Sequence, residues 1–150
     1  QLPIRWASGG SACSSVSTDE RPTANICTSG TQFVMDGKVI NTHFTNSRSP
    51  TFHGDQWVRV EVLVLQDSLI AHYVNGEEVM RYEKPQSDPV RGNGEGESIR
   101  KGSISLQSES HPTDFRKVEI VNLEKYENDP EGLGQIVEKL MSEKRLAKQD

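Results

Sequence analysis

The stretch that decides the fold is Trp57-Val58-Arg59-Val60-Glu61-Val62-Leu63-Val64-Leu65. Every second residue from 58 to 64 is valine, which is the period of a β-strand with one wholly apolar face. Segments 69–74 and 77–82 follow with strand-forming residues, and Asn75-Gly76 between them is a two-residue hairpin signal. We therefore predict a meander of three adjacent antiparallel strands.

Further strands are predicted on both sides of this meander. Residues 31–35 and 38–44 carry β-branched and aromatic residues around Asp36-Gly37, a second hairpin signal. Residues 103–107 and 115–123 are predicted to form two more strands. About seven strands with long loops, and no alternation of strands with helices, indicate two antiparallel sheets packed face to face. The predicted class is an all-β sandwich.

The composition changes after residue 128. Asp129-Pro130 is a helix start, with Asp as the N-cap and Pro at the first helical position. Apolar residues then recur at helical spacing on one face, namely Leu133, Ile136, Val137, Leu140 and Met141. We predict a β-domain over residues 1–128 and a short amphipathic helical tail over residues 129–150. The tail is expected to pack on the sandwich or on a neighbouring domain, with a membrane or partner contact as the alternative.

Charge and motif content exclude several function classes. Lys and Arg total 17 and Asp and Glu total 22, so the net charge is -5, and no basic stripe supports nucleic-acid binding. The sequence contains no run of about 18 apolar residues, the length that would predict a membrane span. The sequence has no phosphate loop, nucleophile elbow or HExxH motif, so phosphoryl transfer and serine hydrolysis lack support. No Cys/His cluster has the spacing of a structural zinc site, so we predict no cofactor and assign no residue to a metal. It carries no information on the oligomeric state.

Two cysteines, Cys13 and Cys27, flank a polar loop. They are compatible with one disulfide in an oxidising compartment or with two free thiols. The chain starts at Gln1 without an initiator Met, and residues 1–6 resemble the middle of a domain. We therefore expect further strands, and a secretion signal, upstream of residue 1.

One row of polar residues stands out as a candidate site. Counting by twos from Ser105 gives Gln107, Glu109 and His111, whose side chains share one face if the strand continues. Sugar hydroxyls need both donors and acceptors, which an amide, a carboxylate and an imidazole supply. Glu109 and His111 could also act as a general acid/base pair or as metal ligands. The alternative is a solvated sheet face without a ligand.

A second candidate precedes the valine-rich strand. His53, Asp55 and Trp57 could stack on a sugar ring and hydrogen-bond to it. The alternative is local: Asp55 stabilises the turn through its backbone and Trp57 packs in the core, which is the role we favour for Trp57. Arg116 could bind a ligand or form a structural salt bridge.

His72 lies in the second strand of the meander. Its side chain shares a face with Ile70 and Val74, which are apolar. We therefore predict that His72 is a hydrogen-bonded structural residue.

Several motifs occur in a recognisable order: NICTSGT at 25–31, VMDGK at 34–38, HGDQWV at 53–58, VNGE at 74–77, GSISLQSESHP at 102–112 and FRKV at 115–118. Over roughly residues 20–124 they resemble the 3-keto-disaccharide hydrolase family. The resemblance implies a concanavalin-like jelly roll whose opening strands are missing here. Similar members carry a Cys in or beside the position of Phe44, which leaves the partner of Cys27 open.

The resemblance also implies a secreted or periplasmic bacterial protein that acts on 3-keto-glycosides. A 3-keto group acidifies the proton at C2, so the glycosidic bond can break by elimination followed by water addition. This chemistry needs a base, a donor to the keto oxygen and an acid. Glu109, His111 and His53 are the candidates for these catalytic roles.

Gln107, Asp55 and Arg116 are the candidates for substrate binding. A non-catalytic carbohydrate-binding module is the alternative function, since this architecture serves both roles. An aromatic content of only 6% disfavours it, because lectins commonly stack sugar rings on aromatic side chains. A scaffold domain without a ligand is the third interpretation.

Overall fold

The computed structural model describes residues 21–90, 96–104, 106 and 113–146. The strands in this part of the chain are β1 (Ile26–Cys27), β2 (Thr31–Met35), β3 (Lys38–Ile40), β4 (Phe44–Thr45), β5 (Val60–Leu65), β6 (Leu69–Val74) and β7 (Glu77–Ser87). A one-turn 3-10 helix (Glu124–Tyr126) precedes the helix α1 (Pro130–Leu146). β1 and β4 form a two-stranded sheet, and the larger sheet has the order β3-β2-β7-β6-β5. The predicted all-β antiparallel class with a C-terminal helix is confirmed.

The meander predicted around the valine-rich stretch is β5, β6 and β7. β6 has the predicted bounds, and it pairs with β5 on one side and β7 on the other. Its turn into β7 has positive φ at both Asn75 (50°) and Gly76 (82°), as a type I′ hairpin requires. Asp36 (50°) and Gly37 (73°) form the same kind of turn between β2 and β3. Both hairpin predictions are confirmed.

The apolar face of the meander forms the core. Val60 lies opposite Val74 and Val62 lies opposite His72, so these side chains share one face of the sheet. Val58, Val60, Val74 and Val79 form a buried cluster, and Ala24 and Phe52 pack against it. Toward the far end of β5 the same face is open, since Val62 and Val64 are each 54% exposed. The predicted valine face therefore exists, but only its first half is buried.

Aromatic side chains extend this core toward β2. Phe33 is 2% exposed, and its ring centroid is 4.9 Å from that of Tyr82. His72 Nδ1 donates to the Ala24 carbonyl at 2.9 Å, and Tyr82 Oη lies 3.3 Å from His72 Nε2. Burial lowers the pKa of His72, and it raises the pKa of Tyr82 to about 12. The prediction that His72 is a hydrogen-bonded structural residue is confirmed.

Loop residues flanking the small sheet complete the second layer. Arg48 N donates to the Val79 carbonyl at 2.9 Å, so the segment around residue 48 lies along the edge of β7. Ser47 N donates to Asn25 Oδ1 at 2.7 Å, which connects this segment to the residues before β1. The small sheet and its loops are thereby fixed to the larger sheet by hydrogen bonds.

β7 contains an irregularity next to the Asn75-Gly76 turn. The register with β6 shifts between His72, which pairs with Met80, and Tyr73, which pairs with Glu78. Val79 is the extra residue of a β-bulge. Val79 and Met80 are both buried, at 5% and 3% exposure.

Several predicted strand bounds are wrong. The strand predicted over 38–44 ends at Ile40, and β7 continues to Ser87, beyond the predicted end at residue 82. Residues 103, 104, 106 and 116–123 form no strand. Apolar residues there are exposed, with Ile104 at 80% and Ile120 at 76%. An apolar run forms a strand only where another strand offers hydrogen bonds, and the described part of the chain offers none at these positions.

The helix begins where the sequence predicts. Asp129 Oδ1 accepts a hydrogen bond from Gly132 N at 2.9 Å, so Asp129 is the N-cap of α1. The apolar stripe of α1 is half-buried, but among the described elements the helix contacts only the 3-10 helix and no strand. No described helix has the length and apolar content needed to cross a membrane.

Cys27 lies in β1 directly opposite Phe44 of β4. Cys27 is disulfide-bonded. The alternative of free thiols is therefore wrong for Cys27. Cys13 lies outside the described residues.

Replacing Phe33 should test the core. We expect Phe33→Ala to lower the free energy of unfolding by about 3–5 kcal/mol, because it removes a fully buried ring. The matched control is Val39→Ala on the edge strand β3, where the side chain is 58% exposed and the change should stay within about 0.5 kcal/mol. Urea denaturation measures both values. Equal effects would contradict the assignment of Phe33 to the core.

His72 should make stability depend on pH. Its pKa is lowered by burial in the folded protein, so below its ordinary value of 6.5 the unfolded chain binds a proton that the folded chain does not. The free energy of unfolding should therefore fall as the pH drops through 6.5, until the lower pKa of the folded state is reached.

The measurement is urea denaturation of wild type and His72→Gln between about pH 5 and 7.5. The difference between the two proteins isolates His72 from the carboxylates that titrate in the same range. A difference that is constant across this range would rule out the buried neutral imidazole.

Candidate functional site

The predicted polar row falls outside the described residues. Gln107, Glu109 and His111 lie between residues 106 and 113, so their placement stays a prediction. His53, Asp55 and Arg116, the other predicted site residues, are described.

His53 and Asp55 lie exposed on the loop before β5. Gly54 between them has a φ of 74°, which glycine adopts without strain. Gln56 N donates to the Gly54 carbonyl at 3.2 Å, and the Gln56 side-chain amide donates to the His53 carbonyl. The loop is thus a tight turn that presents both side chains at the surface.

Trp57 follows this turn and is 40% exposed. Its assignment to the core is wrong, because Val58 occupies the buried position at 1% exposure and adjacent residues of an extended chain face opposite ways. Arg116 lies over the indole, with Cζ 4.2 Å from the ring centroid. The structure therefore joins two predicted regions, the 53–57 loop and the segment after residue 112, at one surface point.

A second group of polar residues lies on the face of the larger sheet opposite the core. Glu61 pairs with Tyr73, and Tyr73 pairs with Glu78, so these side chains form a row across β5, β6 and β7. Glu61 and Tyr73 are buried, at 9% and 8% exposure. Arg59 Nη2 donates to Glu61 Oε1 at 3.1 Å. Each end of the row carries a carboxylate that is paired with an arginine.

The Glu78 carboxylate accepts hydrogen bonds from two residues. Arg81 donates from Nε to Oε1 at 3.0 Å and from Nη2 to Oε2 at 2.6 Å, and Tyr73 Oη donates to Oε2 at 3.3 Å. These bonds from Arg81, with smaller contributions from Tyr73 and the Arg48 charge, lower the pKa of Glu78. The same pairing raises the pKa of Arg81. Glu78 is therefore an ionised hydrogen-bond acceptor at neutral pH.

A cavity of about 580 Å³ lies beside this row. Its walls come from the turn between β2 and β3, the segment around Arg48, the start of β6 and the middle of β7. Glu78, Arg81 and Arg48 contribute charged groups, while Asn46 and Ser68 contribute neutral polar groups. A cavity of this size holds a small ligand.

This second group was not predicted from the sequence, although the sequence contains a signal for it. In a two-residue hairpin, the turn Asn75-Gly76 fixes the register, which places Tyr73 opposite Glu78. The same counting across β5 places Glu61 next to Tyr73. The alternation of valines from 58 to 64 indicates only the opposite, apolar face of the sheet. The Glu78–Arg81 pair could not have been found this way, because it depends on the bulge.

The described residues 21–90, 96–104, 106 and 113–146 contain no group of three His, Cys, Asp or Glu side chains that could hold a metal ion.

A protein-family model matches most of the chain. The model of the 3-keto-alpha-glucoside-1,2-lyase-like domain matches residues 6–121. The chain belongs to this family. The match confirms the predicted family and its jelly-roll fold class, and it begins earlier than the resemblance at residues 20–124 indicated. Comparisons with curated proteins and with solved structures find no significant match.

Membership of the family makes this a carbohydrate-acting domain. The matched region contains all six predicted site residues. It also contains Glu61, Tyr73 and Glu78, the row of side chains on the larger sheet. Helix α1 begins after the matched region ends.

The contact between Trp57 and Arg116 should be measurable. We expect a double-mutant cycle with Trp57→Leu and Arg116→Gln to give a coupling energy of about 0.5–1 kcal/mol, as for a cation over an aromatic ring at an exposed site. The control cycle replaces Arg116→Gln with Arg100→Gln, since Arg100 pairs with Asp67 at 3.0 Å. No coupling in the first cycle would show that the segment after residue 112 is not fixed to the loop.

Proposed function

We propose that this protein cleaves 3-keto-glucosides by elimination across C1 and C2, followed by addition of water. The observation that carries the proposal is the family match, because the description of the family names a 1,2-lyase of 3-keto-alpha-glucosides. The matched residues include both the 53–57 loop and the 102–118 motif. Contact between Trp57 and Arg116 supports a shared site for these two regions.

The reaction has a defined demand for proton transfer. A base removes the proton at C2, which the neighbouring 3-keto group acidifies. The C1–O bond breaks as the C1–C2 double bond forms, and an acid protonates the departing oxygen. Water then adds to C1 and a proton returns to C2, which gives the free 3-keto sugar.

We assign the proton transfers to Glu109, His111 and His53. A carboxylate and an imidazole can each exchange a proton near neutral pH when suitably placed, and such catalysis contributes about 10²–10⁴-fold. His53 lies at the surface four residues before Trp57, on the loop that Arg116 approaches. Arg116 follows His111 by five residues in the sequence.

Substrate binding is assigned to Gln107, Asp55 and Arg116. Asp55 and Arg116 are both exposed. Asp55 precedes Trp57 by two residues in the sequence, and Arg116 lies over the Trp57 ring. A carboxylate accepts from sugar hydroxyls, and a guanidinium donates to hydroxyl or keto oxygens. Together they supply the mixed polarity that a sugar requires.

The proposed location is the periplasm or the outside of a bacterial cell. The disulfide of Cys27 supports it, because disulfides persist in oxidising compartments.

The alternative function is a carbohydrate-binding module without activity. The exposed indole of Trp57 favours it, since sugar rings stack on such surfaces. Binding of a 3-keto sugar without turnover would select this alternative.

Turnover of 3-keto-trehalose in D₂O tests the proposal. We expect release of glucose, and deuterium at C2 of the 3-keto-glucose product, because elimination removes the C2 proton. Glu109→Gln and His111→Asn should each lower kcat by about 10²-fold or more. Mass spectrometry measures deuterium, with substrate incubated without protein as the control for spontaneous exchange.

The matched control variant is Glu124→Gln, which lies outside the family match and should retain full activity. No release of glucose would exclude the enzymatic proposal. Full activity of Glu109→Gln would exclude Glu109 as a proton-transfer group. Product without deuterium at C2 would contradict an elimination in which the abstracted proton exchanges with solvent.

A further inference from the structure

We infer that the cavity beside Glu78 and Arg81 is a binding site for a neutral saccharide, distinct from the surface loop of His53 and Asp55. Of the predicted site residues that the structure describes, His53, Asp55 and Arg116, none lines this cavity. The inference concerns binding alone and does not depend on the reaction proposed above.

The shape and the mixture of lining groups fit a sugar. The volume of about 580 Å³ accommodates a mono- or disaccharide. Val34 and Leu69, on the same face of the sheet as Arg81, line part of the cavity and can contact the C–H faces of a sugar ring. Polar groups line the rest.

Arg81 is held in place as a donor. Two of its N–H groups bond to Glu78, at 3.0 Å and 2.6 Å, and this fork fixes the plane of the guanidinium. An arginine has five N–H donors, so three remain for hydroxyl oxygens. The side chain is 53% exposed, and Glu78 is its bonded partner among the described residues.

Glu78 provides the complementary acceptor. Its side chain is 28% exposed, and its two oxygens have room to accept a further hydrogen bond beside those from Arg81 and Tyr73. Arg48 lies at the same wall, close enough for its charge to act on Glu78. A hydroxyl group, which both donates and accepts, can bridge such a pair.

The charge balance of the lining selects a neutral ligand. Two cations, Arg48 and Arg81, face three carboxylates, Asp36, Glu78 and Glu83. Glu83 also pairs with Lys84 at 3.5 Å, which lies outside the lining. The cavity therefore offers no excess of opposite charge to an anionic or a cationic ligand.

The test is titration of the protein with trehalose, methyl α-glucoside and glucuronate by calorimetry. Trehalose and methyl α-glucoside carry no keto group, so neither can undergo the proposed elimination. We expect saturable binding of at least one neutral sugar, and binding of glucuronate that is no tighter. Absence of binding by both neutral sugars, or tighter binding of glucuronate, would overturn the inference.

Variants locate the binding. Arg81→Lys keeps the charge but loses the fork, and it should weaken binding about tenfold or more. Arg48→Gln changes an exposed side chain and should also weaken binding, which keeps the test valid if Arg81→Lys does not fold. Arg100→Lys, in an exposed pair with Asp67 away from the cavity, is the matched control and should bind as wild type does.

Glu109→Gln separates this inference from the proposed function. It should lower kcat for 3-keto-trehalose by about 10²-fold or more and leave the affinity for trehalose unchanged. Loss of trehalose binding in Glu109→Gln, with Arg81→Lys and Arg48→Gln unaffected, would place the sugar at the catalytic residues and overturn the inference.

Discussion

The antiparallel register between β5, β6 and β7 positions most of the other features of this domain. A slip of one residue in this register would exchange the two faces of the sheet. The core and the row of Glu61, Tyr73 and Glu78 therefore both depend on the register. The turn at Asn75-Gly76 fixes one end of this register, because its two positive φ angles match the twist of the flanking strands. Burial of Val60 and Val74 opposite each other stabilises it.

The two faces of the larger sheet have different environments. One face packs against the segments around Ala24 and Phe52 and contains the valine cluster. The other face carries the pairs Arg59–Glu61 and Arg81–Glu78, and the second of these lines a cavity. The Arg59–Glu61 pair is buried, whereas the Glu78–Arg81 pair is partly exposed to the cavity.

The sequence predicted those parts of the fold that depend on local signals. Alternation of valines and the Asn-Gly turn gave the meander, and Asp129 with Pro130 gave the helix start. Strand ends and the exposure of Trp57 could not be predicted, because they depend on which segments lie alongside. For the site, the sequence identified the 53–57 loop but not its contact with Arg116, which joins residues far apart in the chain.

The bulge at Val79 has a consequence for the chemistry of the cavity. Residues three apart in a regular strand face opposite sides, so Glu78 and Arg81 could not meet in an unbroken β7. The single inserted residue changes the parity and brings the guanidinium to the side of the carboxylate. Deleting one residue there would straighten the strand and separate the charges without altering either amino acid. The length of this strand, as much as its composition, thus determines whether the cavity has a donor beside its acceptor.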